Sequence, residues 1–204
     1  MLVTILAAGL AIQTVTFDRS TALPDGWISG VTGHGAAKWE VIADSSATSA
    51  PNVLRQSGEA TFCWAVDTTK KLKDGFAEVK IKPLSGKEDQ AGGLVWRFKD
   101  PNNYYVVRAN ALEGNVVMYK TVDGKRSSLQ VKGRMLGYGI DSKVPKGKWS
   151  TLRVEFAGNL FTVLFGGKKL FEVEDDTFKE EGAVGLWTKA DSVTLFDDLK
   201  YGSK

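Results

Sequence analysis

Past the first dozen residues, apolar positions return at every second place. Asp74 to Pro83 reads Asp-Gly-Phe-Ala-Glu-Val-Lys-Ile-Lys-Pro, with Phe76, Val79 and Ile81 set among charges. Trp149 to Phe156 alternates cleanly, with Leu152, Val154 and Phe156 on one side, and Ser192 to Tyr201 repeats the style with Val193, Leu195 and Leu199. Period two marks strands with one buried and one wet face, as antiparallel sheets have. Asp123-Gly124, Gly158-Asn159 and Gly166-Gly167 supply the positive φ that tight hairpins need, and Asp100-Pro101-Asn102-Asn103 is a four-residue turn cluster. Turn signals recur every ~8 to 12 residues, which predicts a sandwich or barrel of about thirteen short strands. One short helical turn is expected within Asp175 to Glu181.

Two consecutive strands break the alternation. Gly92 to Phe98 and Asn103 to Asn110 are mostly apolar yet carry Arg97, Arg108 and Asn110. Period two sends Arg108 and Asn110 to one face. Each Arg therefore needs a carboxylate partner or a cleft to line, because unpaired charges are seldom buried.

The chain has 204 residues, a size that all-β folds reach as one domain and that buries a core without disulfides or a structural metal. The lone Cys63 lies in the apolar run from Thr61 to Val66, and is expected to pack as a small hydrophobe. Net charge is +3 and the charges are scattered, with no basic stripe for nucleic acid. No apolar run approaches the roughly 18 residues of a membrane-spanning helix. Met1 to Ile12 is nearly all apolar, and Gly9-Leu10-Ala11 has the small residues of a cleavage site, although no Lys or Arg precedes it. Residues 1–14 are expected to be a signal peptide or apolar N-terminal segment, and 15–204 one β-sandwich domain, secreted or periplasmic. The alternatives are an N-terminal strand of a cytosolic protein or a start placed too late.

Gly92-Gly93-Leu94-Val95-Trp96-Arg97, Asp100 to Tyr105 and Arg108-Ala109-Asn110-Ala111-Leu112-Glu113 resemble bacterial concanavalin A-like lectin/glucanase domains. The resemblance narrows to laminin-G-like and 3-keto-disaccharide hydrolase domains, relatives in fold of family 16 glycoside hydrolases. Gly182 to Lys189, Val193 to Leu199, Leu23 to Trp27 and Trp39-Glu40-Val41 fit as well. It implies a jelly-roll β-sandwich of two antiparallel sheets, one concave, with the terminal strands paired.

Family 16 catalysis needs carboxylates at alternate positions of one strand, about 5 to 5.5 Å apart for retention. The nearest match, Glu172-Val173-Glu174-Asp175-Asp176-Thr177, has Thr177 where a third acid belongs and reads better as a solvated edge running into an acidic loop. His34 is the only histidine and lies between Gly33 and Gly35, which argues against a Ser-His-Asp triad or a zinc site. No glycine-rich piece precedes a helix that would cradle phosphate. Carbohydrate suits the residues better, since sugar sites pair an aromatic platform with a few fixed polar groups. Arg97, Arg108, Asn110, Glu113, Tyr119 and Trp187 supply both parts if their strands neighbour one another on an open concave sheet. Otherwise Arg108 and Glu113 form a buried salt bridge, and Tyr119 and Trp187 are core. Calcium is a further possibility, with Asp18 and Asp197 brought together by pairing of the chain ends. The expected function is a secreted lectin-like domain binding carbohydrate through the concave sheet. The rivals are a glycoside hydrolase acting on a disaccharide or polysaccharide and a structural or adhesion module of the cell envelope.

Overall fold

The computed structural model describes residues 12–203, apart from Ser20 and Leu136. The expected cleavage site at Gly9-Leu10-Ala11 lies outside the described residues. The strands run β1 (Gln13–Val15), β2 (Trp27–Ala36), β3 (Trp39–Ala43), β4 (Asn52–Gln56), β5 (Glu59–Leu72) and β6 (Gly75–Ser85). There follow β7 (Ala91–Asp100), β8 (Asn103–Asn110), β9 (Asn115–Val122), β10 (Lys125–Ser128) and β11 (Ile140–Asp141). The last are β12 (Ser150–Ala157), β13 (Leu160–Phe165), β14 (Lys168–Glu174), β15 (Gly182–Ala190) and β16 (Val193–Gly202). Short pieces such as β1, β10 and β11 account for the excess over the expected number, being too brief to show a period.

All pairings are antiparallel and form two sheets. One has the order β14-β13-β12-β6-β16-β4-β3, with β1 on β16; the other has β10-β9-β8-β7-β15-β5-β2, with β11 on β9. The resulting all-β jelly-roll sandwich agrees with the pattern of turns and alternation. Gln13 faces Tyr201 and Val15 faces Leu199, so the terminal strands do pair. Hairpin geometry follows the turn residues: Asp123 and Gly124 both have positive φ, at 49° and 77°, the mirror-image turn whose twist matches that of the strands. Among the described residues no helix is long and apolar enough to cross a membrane.

Asp175 to Glu181 forms no helical turn. Asp175 Oδ1 accepts from the Thr177 amide at 2.9 Å, and the Phe178 amide donates to the Tyr105 hydroxyl at 3.0 Å. The first bond closes an Asx turn and the second ties the segment to Tyr105, holding it as a loop.

The main core lies between the sheets. Leu152, Val154 and Phe156 reach it from β12, while Trp96, Tyr105 and Val107 reach it from β7 and β8. Trp96 stacks on Tyr105 at 5.5 Å and on Phe156 at 6.0 Å, with Phe161 edge-on at 5.5 Å. Cys63 is fully buried, and loss of hydration pushes its thiol up to about 11, so it packs rather than reacts. Replacing Trp96 by Ala should cost ~3 to 5 kcal/mol of unfolding free energy, from lost burial and the cavity left behind; equilibrium urea unfolding of the two proteins measures it.

Candidate functional site

The outer face of the β10–β2 sheet is the unusual surface. Its ladder sets Trp64, Trp187, Gly93, Arg108 and Val117 in one row, with Phe62, Tyr104 and Tyr119 on the same face. Outer faces are normally wet, yet these aromatics are buried. Curvature explains it. Five strand spacings of ~4.8 Å would put β10 and β5 roughly 24 Å apart in a flat sheet. The Arg126 guanidinium on β10 nevertheless lies 4.7 Å from the Phe62 ring on β5. Thr32 on β2 likewise meets the Tyr104 hydroxyl on β8 at 2.9 Å. The sheet curls over this face, making it concave, and its own side chains fill the hollow. Gly30 is part of the fit: a Cβ there would stand 2.6 Å from the Trp64 ring.

The open groove expected around Arg108 and Asn110 is therefore absent. Arg108 is 1% exposed and Asn110 fully buried. Arg108 Nη2 donates to Glu113 Oε2 at 2.6 Å, to the Tyr119 hydroxyl at 3.1 Å and to the Tyr138 hydroxyl at 3.3 Å. Its Nη1 donates to Asn115. The buried salt bridge with Glu113 thus holds, with Tyr119 and Trp187 packed as core. Asn110 Nδ2 donates to Asp89, while its Oδ1 accepts from the amides of Leu112 at 2.9 Å and Glu113 at 3.3 Å. These bonds shape the β8–β9 turn and fix where Glu113 stands.

Arg97 does not join this group. It has a φ of 45° at a register shift between Trp96 and Asp100, so the bulge breaks the alternation that would have set it on the concave face. Its guanidinium donates to the carbonyls of Lys73 at 2.9 Å and Gly158 at 2.7 Å, and to that of Phe178 at 2.6 Å. It clamps three loops.

Part of this network stays in reach at the mouth of the hollow. The Glu113 side chain is 35% exposed, alone among the six expected contacts, and Tyr138 is 49% exposed. Lys189 donates to the buried Asp89 carboxylate at 2.6 Å, beside a cavity of about 370 Å³ lined by His34, Glu59, Thr61, Glu88 and Lys189. Burial pushes the Glu113 carboxyl up, but the Arg108 charge, hydrogen bonds from Arg108 and Asn115, and the Lys189 charge outweigh it and leave the carboxyl below its usual range. In both pairs one partner is sealed and the other stays in reach, which fixes the accessible heads rigidly.

Sequence reasoning missed Lys189, Asp89, Arg126 and Phe62. Lys189 stands two residues after Trp187, so period two assigns it the same face. Arg126 faces Thr121 across the β9–β10 hairpin, a register already set by Asp123-Gly124. Arg126 lies over three rings, with its Cζ 4.1 Å from Tyr119 and 5.6 Å from Trp187 as well as close to Phe62.

The remaining expectations resolve structurally. Glu172 pairs with Lys169 and Glu174 with Lys132 on the edge strand β14, which is the solvated-edge arrangement. Asp18 and Asp197 do approach one segment: Asn52 donates to Asp18 at 3.1 Å, while Thr48 and Ser49 donate to Asp197. Asp197 accepts from the amides and hydroxyls of Thr48 and Ser49 in this arrangement. Among the described residues no group of three or more His, Cys, Asp or Glu side chains is gathered for a metal.

Similar architecture occurs in solved structures. Carbohydrate-binding module CBM66 from Bacillus subtilis superposes with a TM-score of 0.67 at 20% identity, covering 87% of this chain and 96% of that one. The chain shares its antiparallel jelly-roll fold. Cellulose-induced protein Cip1 shares it at TM-score 0.61 and 12% identity over 87% of this chain and 91% of that one. Bacillus licheniformis β-glucanase does so at 0.57 and 11%, over 97% and 99%. No family model and no curated protein matches the sequence.

Two measurements follow. Arg108→Ala should cost ~3 to 5 kcal/mol in urea unfolding, because it strands the groups gathered around a buried charge. A carboxyl lowered on folding stabilises the native state above its unfolded value and loses that contribution as pH falls through its folded value. The melting temperature should therefore drop below about pH 4.5, and less steeply in Glu113→Gln.

Proposed function

We propose that this domain binds carbohydrate at the mouth of its concave sheet, in a secreted or periplasmic setting. The observation that carries the reading is the pair of anchored heads: Glu113, held by the same Arg108 guanidinium that meets the exposed Tyr138, and Lys189, held by Asp89 at the wall of a cavity. Sugars present hydroxyls that accept from an ammonium and donate to a carboxylate, and an apolar face that rests on an aromatic ring. Arg108, Asn110, Tyr119 and Trp187 act from behind, as the rigid floor under those contacts. The fold adds support, since its solved examples include a carbohydrate-binding module.

Glu113 is not in the state of a glycosidase's general acid. A glycosidase acid needs a raised pKa to hold its proton at neutral pH, whereas this carboxyl is lowered and ion-paired. A glycan array followed by calorimetry tests the reading. Tyr138→Ala and Glu113→Gln should each weaken the bound glycan at least tenfold, or about 1.4 kcal/mol, while both proteins still melt cooperatively. Unchanged affinity in both variants removes the mouth from the site.

A further inference from the structure

Arg126 is a cation without a counter-ion. Among the described residues no carboxylate pairs with it, and its neighbours are the rings of Phe62, Tyr119 and Trp187. On the concave face the cations Arg108 and Lys189 are matched by Glu113 and Asp89. Among the described residues, Arg126 is left without such a match.

Its hydrogen-bonding capacity is unmet as well. Arg126 Nη1 is enclosed with no acceptor, and so are two groups flanking it, the Trp187 indole N–H and the Thr121 hydroxyl. Trp187 and Thr121 are both fully buried, and Thr121 stands opposite Arg126 in the β9–β10 ladder. Enclosed donors are normally paired, because leaving one unmade carries its full cost of desolvation. The partner that answers a guanidinium with unmade hydrogen bonds and an unbalanced positive charge is an oxyanion. Aromatic walls strengthen that attraction by keeping water away. Arg126 itself is half-buried on a short edge strand whose other residues, Lys125, Ser127 and Ser128, are exposed, so an incoming ligand can reach it.

We infer that the rim of the concave face selects acidic glycans, with the carboxylate of a uronate or the sulfate of a sulfated sugar received at the accessible side of the Arg126 guanidinium. This rests on the carbohydrate reading above and specifies its ligand class. Each sugar ring that stacks at the mouth would then place its acid group toward the aromatic cage.

Matched pairs of oligosaccharides test it. Oligogalacturonate is compared with its carboxyl-reduced form, and a sulfated galactan oligosaccharide with its desulfated form, by calorimetry and by tryptophan fluorescence. At least one acidic form should bind ten times more tightly than its neutral counterpart. That ratio should shrink with added salt, fall to about one in Arg126→Gln, and survive in part in Arg126→Lys, each variant being checked by its melting temperature. The two arms tell carboxylate from sulfate. Equal binding of acidic and neutral forms, or a ratio that persists in Arg126→Gln, overturns the inference while leaving carbohydrate binding in place. If neither acidic nor neutral glycans bind, on these pairs and across the array, the carbohydrate reading falls and takes this inference with it.

Discussion

A full positive charge at position 108, almost wholly removed from water, constrains the concave side of this domain. Isolated, such a charge costs far more than any single contact returns. The fold meets that demand by bringing Glu113, Asn115, Tyr119 and Tyr138 to the guanidinium from the β8–β9 turn, strand β9 and the segment before β11. Chain that would otherwise wander over the sheet edge is thereby drawn in. The hollow is filled, and the groups that remain in reach are held by partners that are not.

The two ends of the same strand pair use arginine differently. At one end Arg108 sits in regular extended backbone and gathers side chains. At the other, Arg97 is turned by a bulge and gathers backbone carbonyls from three loops. Between them Trp96 and Tyr105 anchor the sheet to its partner. The concave face thus stands on a scaffold fixed at both ends.

Much of this architecture was legible in the sequence. Alternation in β12 and the turn residues Asp123-Gly124 and Gly166-Gly167 gave strands and hairpins, because each rests on local backbone geometry. The shared face of Arg108 and Asn110 was legible too, being a matter of parity. Whether that face opened to water was not. Curvature accumulates over many strands, and only closure between β10 and β5 seals the aromatics. Arg97 was misplaced because a single positive φ reverses parity, and nothing in Trp96-Arg97-Phe98 announces the bulge. Asp89 and Lys189 were missed because they are a hundred residues apart in sequence, so only the folded topology brings them together.

The pairing of β1 with β16 has a consequence for how such a unit is handled in longer chains. Polypeptide enters and leaves at adjacent rungs of one sheet, about 5 Å apart. A module built this way works as a cassette. It can be spliced into a surface loop of a host, or strung in tandem, without either junction having to travel round the sandwich.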